Sequence, residues 1–151
     1  MDVSADLSAI RMVIEDFFGA FTSGTGLLAR LDRLADLMLP QAVVVRGGGD
    51  TPVVSSVDEF IAPRRALLTN GQLLDFAEWP ETSRIDVFGD LAHCFCVYAK
   101  KGRQDGVPFE ARGVKSVQLV RMPTGWRISA LAWHDEEAAR PVPDLSELSH
   151  V

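Results

Sequence analysis

The sequence is poor in the residues that most often carry chemistry. It has two cysteines, three histidines and a single tyrosine in 151 residues. Cys94 and Cys96 stand two apart in one strand-like run. A disulfide framework needs several well-separated pairs, so both read as buried free thiols. His93, His134 and His150 have no short helical spacing, and the cysteines add no second CxxC-type pair, so no metal site is expected. Basic residues are outnumbered, 15 against 21 acidic, for a net charge of −6. That balance disfavours phosphate backbones and anionic bilayers, which removes nucleic acid and membranes as expected partners. No apolar run approaches the roughly 20 residues needed to cross a bilayer, and the opening "MDVSADLSAI" has neither a basic stretch nor an apolar core. The expectation is a soluble, cytoplasmic protein. There is no GxGxxG, P-loop or GxSxG, and "RGGGD" (46–50) lacks the lysine and the strand-to-helix setting of a phosphate cradle. No cofactor is expected.

What is present suffices for one core. A chain of this length with 47% hydrophobic residues is about one domain, taken here as residues 1–137, with 138–151 as a C-terminal tail. The first part is helical by period. Ile10, Val13, Ile14, Phe17, Phe18 and Phe21 fall at steps of three and four, a single apolar stripe. "TSGTG" breaks that helix, and Leu27, Leu31, Leu34, Ala35 and Met38 rebuild the period until Pro40. "AVVV" (42–45) is a short strand. Ser56 and Glu59 form a capping-box pattern that starts a third helix, which Pro63 is expected to break or kink. From Gln72 the period becomes two, with strands expected at 73–79, 84–88, 91–100, 107–122 and 126–135.

Helices followed by an antiparallel sheet define an α+β fold in which the helices cover one face. "LAHCFCVYA" (91–99) is apolar on both sides, which asks for a second covering layer. The economical choice is another copy of the chain, a homodimer through the outer sheet face that buries Cys94, Cys96, Tyr98, Ser116, Gln118 and Ser129.

Turn geometry sets the expected pairings. A two-residue turn at Gly89–Asp90 places Asp86 opposite His93. A connection at "MPTG" places Lys115 opposite Ala132 and Gly113 opposite His134. A longer loop centred near Gln104 sets His93 beside Lys115. On this register Asp86, His93, Lys115 and His134 share a face. Phe17 and Phe21 supply apolar walls, and small residues such as Ala130 leave space for a ligand. His93 oriented by Asp86 is then either an acid/base imidazole or a sheet histidine satisfied by its neighbour. Lys115 is either an anion anchor or a solvated head on an apolar stem.

The three helices followed by "SRIDVFGDLAHCFCVYAKKG", "FEARGVKSVQLVR" and "GWRISALAWHDE" resemble the nuclear transport factor 2-like superfamily, and more closely its SnoaL-like bacterial members. The resemblance implies a cone-shaped barrel, a curved antiparallel sheet whose concave face is covered by three N-terminal helices. It also implies a ligand cavity between the two layers and a dimer. The superfamily holds isomerases, dehydratases, cyclases and non-catalytic binders, so the fold does not choose among them. Members similar to ketosteroid isomerase use a tyrosine on the first helix, whereas Tyr98 lies on a strand. SnoaL-like cyclases use an aspartate as acid/base, a role for which Asp86 is the candidate. The expected function is therefore binding of a small apolar or aromatic molecule with cofactor-free acid/base chemistry by Asp86 and His93, and with Phe17, Phe21, Lys115, Ala130 and His134 as ligand contacts. The alternative is a non-catalytic ligand-binding or dimeric assembly module.

Overall fold

The structure, a computed structural model, describes residues 2–145. His150 and the end of the expected tail lie outside the described residues. Helix α1 (Val3–Gly19) begins where the Asp2 carboxylate accepts the Ser4 N–H at 2.9 Å, satisfying one of the donors a helix start leaves free. Its stripe of Ile10, Ile14, Phe17 and Phe18 is buried. After the glycine-containing break comes α2 (Leu27–Leu34), and a single 3-10 turn (Ala35–Leu37) leads directly into β1 (Met38–Arg46). The second helix thus stops short of Pro40, which lies inside the strand. The ladder of β1 slips between Met38 and Val43, and a proline in that gap forfeits no ladder hydrogen bond.

β2 (Val53–Ser55) pairs antiparallel with β1, and helix α3 (Val57–Thr69) follows. Both halves of the capping box form: Ser56 Oγ accepts from Glu59 N at 3.2 Å and Glu59 Oε1 from Ser56 N at 3.0 Å. Pro63 does not divide α3, which is one element across it. The flanking turns supply enough bonds and burial, through Phe60, Ile61 and Leu68, to carry the one missing N–H.

Four long strands complete the chain: β3 (Leu73–Phe88), β4 (Leu91–Gln104), β5 (Val107–Met122) and β6 (Gly125–Asp135). The two strands expected at 73–79 and 84–88 are one, bent by register slips at Leu74/Ala77 and Pro80/Thr82. The six-stranded order is β2-β1-β6-β5-β4-β3, with β1 parallel to β6 and the other neighbours antiparallel. The sheet is therefore mixed and does not close on itself; its first and last members, β2 and β3, are edges. The helices cover the inner face, where Cys94, Cys96, Tyr98, Val117, Leu119, Ile128 and Leu131 join the α1 stripe in one core.

Three successive hairpins decide which residues face that core. The Gly89–Asp90 turn sets Asp86 opposite His93, as expected. The next turn is not a longer loop but the two residues Asp105 and Gly106, with φ of 51° and 82°, the backbone of a tight hairpin that favours an Asp-Gly pair. Gln104 then pairs with Val107 and His93 with Gln118, three residues from Lys115. An odd displacement exchanges the faces. In the last hairpin a slip at Gln118/Leu119 moves the pairing by one, so Lys115 meets Trp133 and Ser116 meets Ala132.

Replacing Pro63 by Ala restores the N–H toward the Glu59 carbonyl in an otherwise continuous helix. The Pro63→Ala protein is expected to be more stable by about 1–3 kcal/mol, read as a rise in melting temperature. No rise would mean that the helix already bends to accommodate the ring.

Candidate functional site

The inner face of β3–β6 carries a row of charged side chains beneath a canopy of aromatic ones. From β3 comes Glu78, from β4 Lys100, from β5 Lys115 and from the end of β6 Asp135. Lys115 Nζ lies 2.8 Å from Glu78 Oε1, and the two side chains are only 7% and 10% exposed. No donor meets Glu78 Oε1 in hydrogen-bond alignment. The ammonium also sits 4.0 Å from the centroid of the Tyr98 ring and 5.1 Å from that of Trp133, where the negative faces of the rings attract it.

Tyr98 is wholly buried, and its hydroxyl donates to the Asp135 carboxylate, which Lys100 Nζ also approaches at 3.1 Å. The phenol reaches so far because Gly113 lies in its path. A Cβ on Gly113 would collide with the Tyr98 ring end and come within 2.6 Å of the His134 carbonyl oxygen. Burial, reinforced by the carboxylate beside it, pushes the phenol above its ordinary range. Burial works to raise Asp135, but the tyrosine hydroxyl and the two lysines outweigh it and hold the acid below its usual value.

Above this row lies a cavity of about 360 Å³ between α1, α3 and the sheet. Its walls include Phe17, Phe21, Phe60, Phe76, Phe109 and Trp133. Phe17 stacks on Phe60 at 6.1 Å, and Phe60 meets Trp133 at 5.6 Å. Its charged lining is Arg46, Arg64, Lys100, Lys115 and Glu78. The volume and the apolar walls with few polar groups suit a small-molecule site.

Of the residues singled out from sequence, Phe17, Phe21 and Lys115 line this cavity. Asp86, His93, Ala130 and His134 do not. His93 points to the outer face, with Nε2 2.9 Å from Ser116 Oγ, because the tight Asp105–Gly106 turn shifts its partner strand by an odd number. Asp86 stands beside it at the rim, 62% exposed and 3.3 Å from Arg84 Nε. Ala130 and His134 turn outward because the slip in β6 reverses the alternation beyond Ile128, and His134 Nε2 lies 3.4 Å from Glu137 Oε1. The face expected to be buried in a dimer divides because of the β4–β5 register: Cys94, Cys96 and Tyr98 are core, while Ser116 and Gln118 face outward and Ser129 Oγ bonds the Gln118 carbonyl from the irregularity in β6. Arg112 forms a bidentate pair with Glu81.

Glu78 and Arg64 were readable but unread. Glu78 is two residues beyond the apolar Phe76 on an alternating strand, and Arg64 is one helical turn beyond Phe60; each spacing places a charge beside an inward aromatic. Arg46 gave no such signal, since only the parallel pairing of Arg46 with Trp133 brings it to the cavity. Among the described residues no group of acids, histidines and cysteines could hold a metal, and no helix is long and apolar enough to cross a membrane.

This is the architecture of the nuclear transport factor 2-like proteins. Protein Kfla4162 from Kribbella flavida superposes with a TM-score of 0.74 at 15% identity, covering 90% of this chain and 94% of its own. An NTF2-like protein with a cystatin-like fold from Novosphingobium aromaticivorans has a TM-score of 0.68 at 20% identity, with 91% and 88% covered. A candidate dehydratase of the NTF2-like family from Streptomyces avermitilis has 0.72 at 16%, with 91% and 100% covered. No family model and no curated protein matches the sequence.

Tyr98→Phe removes the hydroxyl that Asp135 accepts. The expected loss is about 1–2 kcal/mol at neutral pH. A carboxyl whose folded value is depressed gives stability that is present above its unfolded value near ~3.9 and lost as pH falls through the folded one. Denaturation of both proteins across pH should therefore show the gap narrowing in acid; a gap independent of pH would detach Tyr98 from the Asp135 carboxylate.

Proposed function

We propose that the chain binds a small, mainly apolar or aromatic molecule in the inner cavity, and that Glu78, with Lys115 against it, moves a proton on that molecule without a cofactor. The observation that carries this reading is the ion pair itself, nine-tenths buried at the floor of an aromatic-walled space. Removing two such charges from water costs several kcal/mol per ion, and apolar residues of similar volume serve a core as well or better. The pair therefore makes more sense as chemistry than as architecture. Apart from the Lys115 ammonium at 2.8 Å, Glu78 Oε1 meets no donor in hydrogen-bond alignment, which leaves it lone-pair capacity for a substrate proton. Lys115 stands where an oxyanion formed by that transfer would be stabilised. Isomerisation, dehydration and ring closure all begin with such a step. The Streptomyces avermitilis protein, a candidate dehydratase, has the same fold and agrees with that reaction type.

A second reading, a non-catalytic binding or assembly module, draws support from Tyr98. The chain's single tyrosine is sealed in the core, so no phenol reaches the cavity as a proton donor. On the outer face the half-buried Phe95, Val114 and Ala132 line a groove with Pro141 and Val142, and Phe88 is 85% exposed. A second copy of the chain is the partner proposed for that face.

Elimination of nitrobenzisoxazole to its cyanophenolate needs only a carboxylate base in an apolar pocket and is followed by colour. The wild-type protein is expected to exceed buffer at equal pH, and Glu78→Gln to lose about a hundredfold of that rate while melting within a few degrees of wild type. A wild-type protein that is inert toward this probe yet binds naphthylacetamide in calorimetry would be the binding module instead. Light scattering at micromolar concentration should give twice the chain mass; a monomer mass would remove the outer-face partner.

A further inference from the structure

The cavity's charges do not balance. Four cations line it, Arg46, Arg64, Lys100 and Lys115, against one acid, Glu78. Lys115 is answered by Glu78, and Lys100 by Asp135. Arg46 and Arg64 have no carboxylate partner among the described residues. This excess is local, because the chain as a whole carries −6.

Arg64 is held in a particular way. Its guanidinium carbon lies 4.1 Å from the centroid of the Phe60 ring and 5.3 Å from that of Trp133. Its Nη1 donates to the Phe60 carbonyl at 2.9 Å, which uses one of five N–H donors. Stacking fixes the plane of the group, and the backbone bond fixes its rotation, so the remaining donors form a pre-set fork. Burial lowers Arg64 below the usual guanidinium range; Glu78 opposes that change and Arg46 adds to it. Two guanidiniums near enough to disfavour one another, in an aromatic chamber, are a stored electrostatic cost that an anion between them would relieve.

We propose that the ligand of this cavity carries a carboxylate or an equivalent planar anion, bound at Arg64 and Arg46, with its aromatic or apolar body against Phe17, Phe60 and Trp133. The proposal rests on the cavity being a ligand site. It deepens that reading by naming the substrate class, an aryl or alicyclic acid and not a neutral hydrocarbon or ketone. The charges also order the molecule: anion toward α3 and the end of β1, reactive carbon toward Glu78 on β3. A bidentate carboxylate on a fixed guanidinium fork confers direction as well as affinity.

The test compares naphthylacetate with its uncharged isostere naphthylacetamide by calorimetry on the whole chain. The acid is expected to bind roughly tenfold or more tightly than the amide, and this preference should shrink as salt is raised. Arg64→Gln is expected to bring the acid down to the level of the amide, and Arg64→Lys to recover part of the difference, since a point charge replaces the fork. Circular dichroism of each variant checks that it is folded, and the salt series on wild type stands without any variant. Equal affinity for acid and amide would overturn the anion site while leaving the cavity a ligand site. A preference that survives Arg64→Gln would overturn the role of Arg64. If neither compound binds up to the solubility limit, the cavity reading fails and takes the proposal with it.

Discussion

The two-residue turn at Asp105–Gly106 is the constraint from which the rest of the molecule follows. It joins two of the long neighbours in the sheet, β4 and β5, whose ladder runs without a slip from Gln104↔Val107 to Leu91↔Val120. Paired residues share a face and faces alternate with a period of two, so this single turn determines which residues of β5 join those of β4 beneath the helices. It turns Cys94, Cys96 and Tyr98 inward on one strand and Lys115, Val117 and Leu119 inward on the other. A turn longer by one residue would have exchanged the core for the surface.

Given that register, the inner face must accommodate Lys115. It does so by surrounding the ammonium with compensation from three directions: the Glu78 carboxylate, the Tyr98 ring and the Trp133 ring. The carboxylate and the indole are each delivered by an irregularity. Glu78 faces inward after the slip at Leu74/Ala77, with Asp75 at positive φ within it. Trp133 faces inward after the slip at Gln118/Leu119. Bulges in curved sheets re-aim side chains in this manner, and here they assemble the charged floor of the cavity.

The fold was legible in the sequence where local physics decides it. The 3.6-residue stripe from Ile10 to Phe21, the Ser56/Glu59 box and the Gly89–Asp90 turn all stand as read. The site was not, apart from Phe17, Phe21 and Lys115. Asp86 and His93 do face one another across β3 and β4, so the pairing was right and its side of the sheet was wrong. That side depended on two facts that period alone does not reveal: the tight turn hidden in "GRQDGV", and a one-residue slip in β6. "DG" between alternating strands is a strong hairpin signal, so the first was available; the slip carries no comparable residue signature. Arg46 was beyond reach for another reason, since nothing in a strand's own sequence tells which distant strand it will lie beside.

The approach of Tyr98 to Gly113 has an optical consequence. Because the chain has one tyrosine, and that phenol is enclosed and tied to Asp135, the ultraviolet signature of tyrosinate has a single source. Burial against a neighbouring carboxylate raises that phenol above its ordinary range, so alkali ionises it far less readily while the sheet is intact than once it opens. The appearance of tyrosinate absorbance therefore marks opening of the inner face itself, an intrinsic gauge of core integrity that needs no label.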